Sequence, residues 1–135
     1  MEIQFLTSEH IFLIHEDQIQ KYGGQEGHYI FTTDRIESIL AQQYPCFEVD
    51  KYPDIFQKAA MLMYFFLKGH CFIDGNKRLG IQSAIIFLML NGYEDHLDDD
   101  EGYQKVMEIA SLELPELKRD QYLLDLAHWL SERFY

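Results

Sequence analysis

Lys68-Gly69-His70-Cys71-Phe72-Ile73-Asp74-Gly75-Asn76-Lys77-Arg78 interrupts a helical pattern, and the chain's reactive side chains gather in it. From His70 to Arg78, an imidazole, a carboxylate, an amide and two cations fall within nine positions. Residues 59–67, just upstream, are apolar almost without a break, which marks a helix buried on all sides. That helix begins near Pro53, a residue favoured in a first turn, and runs to Lys68 with Gly69 past its end. Downstream, a second helix spans about Lys77 to Asn91, with Gly92 beyond it. A buried central helix, a short polar loop and a second helix decide for an all-α fold.

The flanking segments extend the same reading. Thr7 or Ser8 caps a first helix that runs to about Tyr22, with Phe12, His15, Ile19 and Tyr22 on one face and Gly23 as its stop. Thr33 or Asp34 caps a short helix to about Gln42, with Ile36, Ile39 and Leu40 as its buried stripe; Tyr44-Pro45 ends it. Asp98 or Asp99 caps a fifth helix to about Ser111, and a sixth covers roughly Leu117 to Phe134. The sixth offers Leu123, Leu124, Leu126, Ala127 and Leu130, with Trp129, as its apolar face. Between the first two helices, Gly23, Gly24 and Gly27 forbid regular helix, while Tyr29, Ile30 and Phe31 have strand character. A short extended flap is expected there.

Residues 1–135 read as one domain of about six helices, without repeat or linker. Eleven Lys and Arg against 23 Asp and Glu give a net charge of −12, which repels a phosphate backbone and argues against nucleic-acid binding. No signal peptide is expected from Met1-Glu2-Ile3-Gln4-Phe5, and the apolar runs 59–67 and 84–90 are too short to span a membrane. Cys46 and Cys71 read as reduced thiols, so a cytoplasmic protein is expected.

A basic cluster in such an acidic chain stands out. Lys77 and Arg78 occupy the first turn of a helix, where the dipole disfavours cations unless an anion arrives. Free N–H groups at that helix start form an anion site, and Gly75 lets the turn approach a phosphate closely. Asp74 reads either as an ion-pair partner of Arg78 or as a Mg²⁺ ligand that shares the ion with phosphate oxygens. His70 is the natural proton acceptor for an attacking hydroxyl, and Phe72 pins the loop into the core.

The run His70-Cys71-Phe72-Ile73-Asp74-Gly75-Asn76-Lys77-Arg78 resembles the signature of the Fic/Doc superfamily, H-x-F-x-D/E-G-N, and is closest to its Doc (death-on-curing) branch. The resemblance takes in Tyr22-Gly23-Gly24 with Gly27, the stretches 36–40 and 58–60, and Ser83-Ala84, Phe87-Leu88 and Asn91-Gly92-Tyr93. It implies a Fic/Doc helical bundle that moves a phosphate-containing group from a nucleotide to a protein hydroxyl. His70 would then be the general base and Asp74 the Mg²⁺ ligand. Gly75, Asn76 and Lys77 would form the anion nest, and Arg78 would grip phosphate oxygens. Lys68 and Gln82 are further candidates for the nucleotide phosphates, with a solvated lysine and a helix-face glutamine as their simpler readings.

Lys77 and Ile81 depart from the AMP-transferring pattern G-N-G-R-x-x-R, and Doc-like proteins share the N-K-R arrangement. The resemblance therefore implies transfer of the γ-phosphate of ATP to a protein, with elongation factor Tu as the implied target, and arrest of translation. AMP or other nucleotidyl transfer, and a non-catalytic nucleotide- or partner-binding relative, are the alternatives. The flap, with Gly24, Gly27, His28 and Tyr29, resembles in position the family's target-docking hairpin, with an ordinary glycine loop as the other reading, and its His28-Tyr29 wording is unlike the commoner Doc one. Thr33-Asp34-Arg35-Ile36-Glu37-Ser38 falls short of the family's self-inhibitory helix, so restraint by a separate antitoxin protein is expected. Asp98-Asp99-Asp100-Glu101 reads as capping and solvation, and His15 as a core residue.

Overall fold

The computed structural model describes residues 2–135 and contains six α-helices: α1 (Ser8–Tyr22), α2 (Thr32–Ala41), α3 (Ile55–Lys68), α4 (Asn76–Leu90), α5 (Asp99–Ser111) and α6 (Glu116–Ser131). Among the described residues the extended pairings are isolated bridges, so the expected all-α class holds. α3 is the hub, because Ala59 through Met63 are all fully buried. It packs most extensively on α4 and then α6, while α1 covers α4 and α2 closes one edge. Gly80 permits the close approach of α3 and α4. A Cβ there would lie 2.6 Å from Leu67 Cβ and 2.8 Å from the Met63 carbonyl oxygen.

Side-chain chemistry sets where the helices start. Thr7 and His10 form a reciprocal capping box at α1, and Gly23 ends that helix as expected. Pro53 lies before α3 and not in its first turn as expected, and Asp54 caps the helix by accepting the Phe56 and Gln57 N–H groups. Asp98 caps α5 by accepting from Glu101. The cap expected for α2 at Thr33 or Asp34 is not formed. Phe31 stands at that position without a side-chain bond, and the hydroxyl of Thr32 is committed to the Cys71 carbonyl.

Two apolar faces differ from the expected ones. On α1 the buried set is Ile11, Ile14, His15, Gln18 and Ile19, while Tyr22 lies uncovered in the last turn, 70% exposed. On α6 the face narrows to Leu123, Leu126, Ala127 and Leu130, with Leu124 half exposed. That helix stops at Ser131 because the tail turns back and pairs Phe134 with Asp95, burying Phe134 completely. Trp129 is half-buried under the Arg133 guanidinium, 4.4 Å from the ring centroid.

The connection from α2 to α3 is held by a buried cation. Lys58 Nζ donates to both Asp50 carboxylate oxygens, at 3.0 and 2.8 Å, and to the Gln43 carbonyl at 2.9 Å. Pairing is what makes burial of that ammonium tolerable.

Candidate phosphate-transfer site

The loop between α3 and α4 is fixed by side chains from outside it. Phe72 reaches from the loop into the core. The ring is 2% exposed and stacks on His15 at a centroid distance of 3.7 Å, with Phe12 edge-on at 5.5 Å. Asn76 clamps the same residue from the helix side, its Oδ1 accepting the Phe72 N–H at 3.1 Å and its Nδ2 donating to the Phe72 carbonyl at 2.8 Å. His15 Nε2 donates to the Asp74 carbonyl at 2.7 Å. Arg35 donates to the carbonyls of Gly69 and His70, at 2.9 and 3.3 Å, and Thr32 donates to that of Cys71. Carbonyls at 69, 70, 71, 72 and 74 are thus each held by a side chain. Burial pushes the Cys71 thiol up to about 11, which keeps it protonated.

This framework holds His70 in the left-handed region, at φ 48°, with its side chain exposed. A non-glycine residue there stores strain, roughly 1–2 kcal/mol, and surrounding bonds must maintain it. Gly75 is also left-handed, at φ 79°, and stands at the N-cap of α4 with no side chain to cap the first-turn amides. A cavity of about 270 Å³ opens there, lined by His70, Asp74, Gly75, Asn76, Lys77 and Arg78 together with Leu67 and Ile73. An imidazole, a carboxylate and an uncapped helix start bearing two cations therefore share one space.

Asp74 is not the simple ion-pair partner of Arg78. Its Oδ2 accepts the Gln25 N–H at 2.9 Å and its Oδ1 the Gly75 N–H at 2.8 Å. These two backbone bonds, with smaller help from the charges of Arg78 and His15, hold its carboxyl below the usual aspartate value. Arg78 instead donates to the Gln18 carbonyl at 3.0 Å, fastening α4 to α1. Among the described residues no group of three acidic, histidine or cysteine side chains could enclose a metal. A lone ionised carboxylate on this cavity fits Mg²⁺, which takes one or two carboxylates and completes its shell with substrate phosphate oxygens and water.

The sequence-derived candidates divide into those brought together and those set apart. His70, Asp74, Gly75, Asn76, Lys77 and Arg78 all line the cavity. The amide side chain of Asn76, however, is used to clamp Phe72, so only its backbone N–H is left for an anion. Lys68 is displaced from its expected role. Its ammonium donates to the Ile109 and Leu112 carbonyls at the C-terminal end of α5, where the helix dipole attracts a cation. Gln82 is half-buried one turn beyond Arg78 and does not line the cavity.

The flap lies beside the loop as a coil, with His28 joined to Phe72 by one antiparallel bridge and the Ile73 N–H reaching the Gly27 carbonyl at 3.5 Å. Gly24 is at φ 123°, and a Cβ there would meet Asp74 Oδ2 at 2.9 Å and an Arg78 guanidinium nitrogen at 3.0 Å. Tyr29 stacks on Phe31 at 4.7 Å, and Ile30 between them is fully exposed. Glu37 faces solvent. Arg35, Thr32 and the loop-facing nitrogen of His15 are positioning groups that spacing did not disclose. A buried histidine and glutamine on the apolar face of α1 were the available signal for the last of these.

The Fic/DOC family pattern matches residues 5–88, from the start of α1 through most of α4 and including the flap and the loop. The chain belongs to the Fic/DOC family. Doc toxins are among its relatives. It is 28% identical over 92 residues to the protein kinase doc of Escherichia phage P1, covering 68% of this chain and 71% of that protein. It is 35% identical over 63 residues to the toxin Doc of Mycolicibacterium smegmatis (strain ATCC 700084 / mc(2)155), covering 47% of this chain and 48% of that one.

Proposed function

We propose that the chain is a Doc-like toxin that transfers the γ-phosphate of Mg·ATP to a hydroxyl of a protein target. The observation that carries this reading is the shared cavity of His70, Asp74 and the uncapped, doubly cationic start of α4. The first-turn amides and Lys77 bind the phosphate chain, and Arg78 borders it from its anchored position on Gln18. The imidazole of His70 takes the proton as the target oxygen bonds to the γ-phosphorus. The bond from that phosphorus to the β,γ-bridging oxygen breaks, and ADP leaves. Asp74 would hold Mg²⁺, which neutralises charge on the phosphate oxygens. Most of the catalytic effect is then positioning and charge stabilisation.

A translation factor, with elongation factor Tu foremost, is the proposed target, and a separate antitoxin the proposed restraint. The name of the phage relative supports phosphoryl transfer. So does Ile81, whose Cδ1 lies 3.2 Å from the place a Cβ of Gly102 would occupy. Position 81 is thereby packed towards α5 and supplies no second cation for the nucleotide. Incubation with bacterial lysate and ATP labelled on either phosphate tests the proposal. Protein labelled from the γ position is the expected result. Label from the α position indicates nucleotidyl transfer, and label from neither indicates a binding relative; either result overturns the kinase reading.

A further inference from the structure

A second cavity of about 300 Å³ lies under α6 at the far end of α3 from His70. Gln57 on its wall and Leu67 beside the phosphate cavity are ten residues apart on one helix, about 15 Å along the axis. Pro53, Leu123 and Leu124 supply apolar wall. Three buried polar atoms on residues that line this cavity have no hydrogen-bond partner within the protein: the Tyr52 hydroxyl, Gln57 Oε1 and Asp120 Oδ1. Native proteins leave few such groups, because each keeps its full desolvation cost. A fourth orphan, Arg119 Nε, belongs to a guanidinium that sits over the Phe65 ring at 5.2 Å, and Arg119 does not line the cavity.

The wall is built rather than incidental. Tyr52 is 5% exposed, and its N–H donates to Asp50 Oδ1 at 3.2 Å, the same carboxylate that takes the buried Lys58 ammonium. Gln57 is fixed by the Asp54 cap, which accepts its N–H at 2.9 Å. Two of the three orphans can only accept a hydrogen bond and the phenol can also accept, so a ligand that serves all three is a hydrogen-bond donor. Lys51 indicates its charge. That ammonium pairs loosely with Asp120 Oδ1, at 3.7 Å, and lies 5.6 Å from the Tyr52 ring centroid, on a side chain that is 51% exposed. A chain of net charge −12 concentrates cations at its surface.

We infer that this cavity binds a small primary amine carried on an apolar body. The ligand ammonium replaces that of Lys51 and donates to Asp120, Gln57 and the Tyr52 oxygen. Its apolar part lies against Leu123, Leu124 and Pro53. Phenethylamine titrated into the ¹⁵N-labelled full chain, with 2-phenylethanol as the uncharged counterpart, tests this. Saturable amide shifts at residues 51–57 and 120–124, absent from 70–78, are expected, with the amine bound at least about tenfold more tightly than the alcohol. Asp120→Asn is expected to weaken the amine by roughly tenfold while leaving the spectrum folded. The inference is overturned by absence of saturation up to about 10 mM, by equal responses to amine and alcohol, or by shifts centred on 70–78. Undiminished affinity in Asp120→Asn overturns it too. The amine–alcohol comparison needs no variant, so it stands even if that substitution perturbs folding.

Discussion

His70 owes its place to its backbone. Arg35 on its carbonyl and the bonds at the following residues hold it at positive φ, and its exposed side chain supports no packing. Removing the imidazole therefore separates chemistry from stability. His70→Ala is expected to lower transfer by roughly 10²–10⁴-fold, the usual worth of a general base, with a stability change within about 0.5 kcal/mol. Radiolabel transfer and a urea melt check the two halves. Asp74 makes a different prediction. Its folded pKa is lowered by the Gln25 and Gly75 amides, so its grip on the flap is fully present above the unfolded value and is lost as pH falls through the lower folded one. The Gln25 amide resonance should therefore titrate with a midpoint below 3.8, the ordinary aspartate value, whereas a midpoint at or above it contradicts the bond.

At the scale of elements, the α3–α4 pair decides whether the site exists. The two helices meet at Gly80, where a methyl group would strike Leu67 and the Met63 carbonyl. Gly80→Ala is expected to destabilise the fold by about 1–3 kcal/mol through overpacking, visible as a lower urea midpoint. This pair was also the part most legible in the sequence. The unbroken apolar run of α3, the glycine after it and the motif residues before α4 announced both helices and six of the cavity's residues. Less legible were contacts between segments distant in sequence. Lys68 sits two residues from His70, yet the end of α5 claims it, and only the packing of α5 could reveal that. Asn76 stood in the motif for anion binding, but its amide spans a single loop turn to Phe72. Thr32 and Arg35 stand at the start of α2, and nothing local in the sequence says which carbonyls they will meet.

For the whole molecule, charge distribution is the organising fact. A body of net charge −12 carries its His70-lined cavity at one helix start, where Lys77 and Arg78 stand against the dipole of α4. Among the described residues no helix is long and apolar enough to cross a membrane. The proposed protein target and antitoxin would both approach through a field that favours basic surfaces, so their association should weaken as salt rises. The central claim is that the start of α4 holds a triphosphate beside His70. Isothermal titration of a magnesium-loaded, non-hydrolysable ATP analogue into the inhibitor-free chain tests it most directly. One saturable binding event is predicted, weakened roughly tenfold by Lys77→Ala through loss of a charge-assisted contact. No heat of association in the unaltered chain, or equal affinity in the variant, would contradict it.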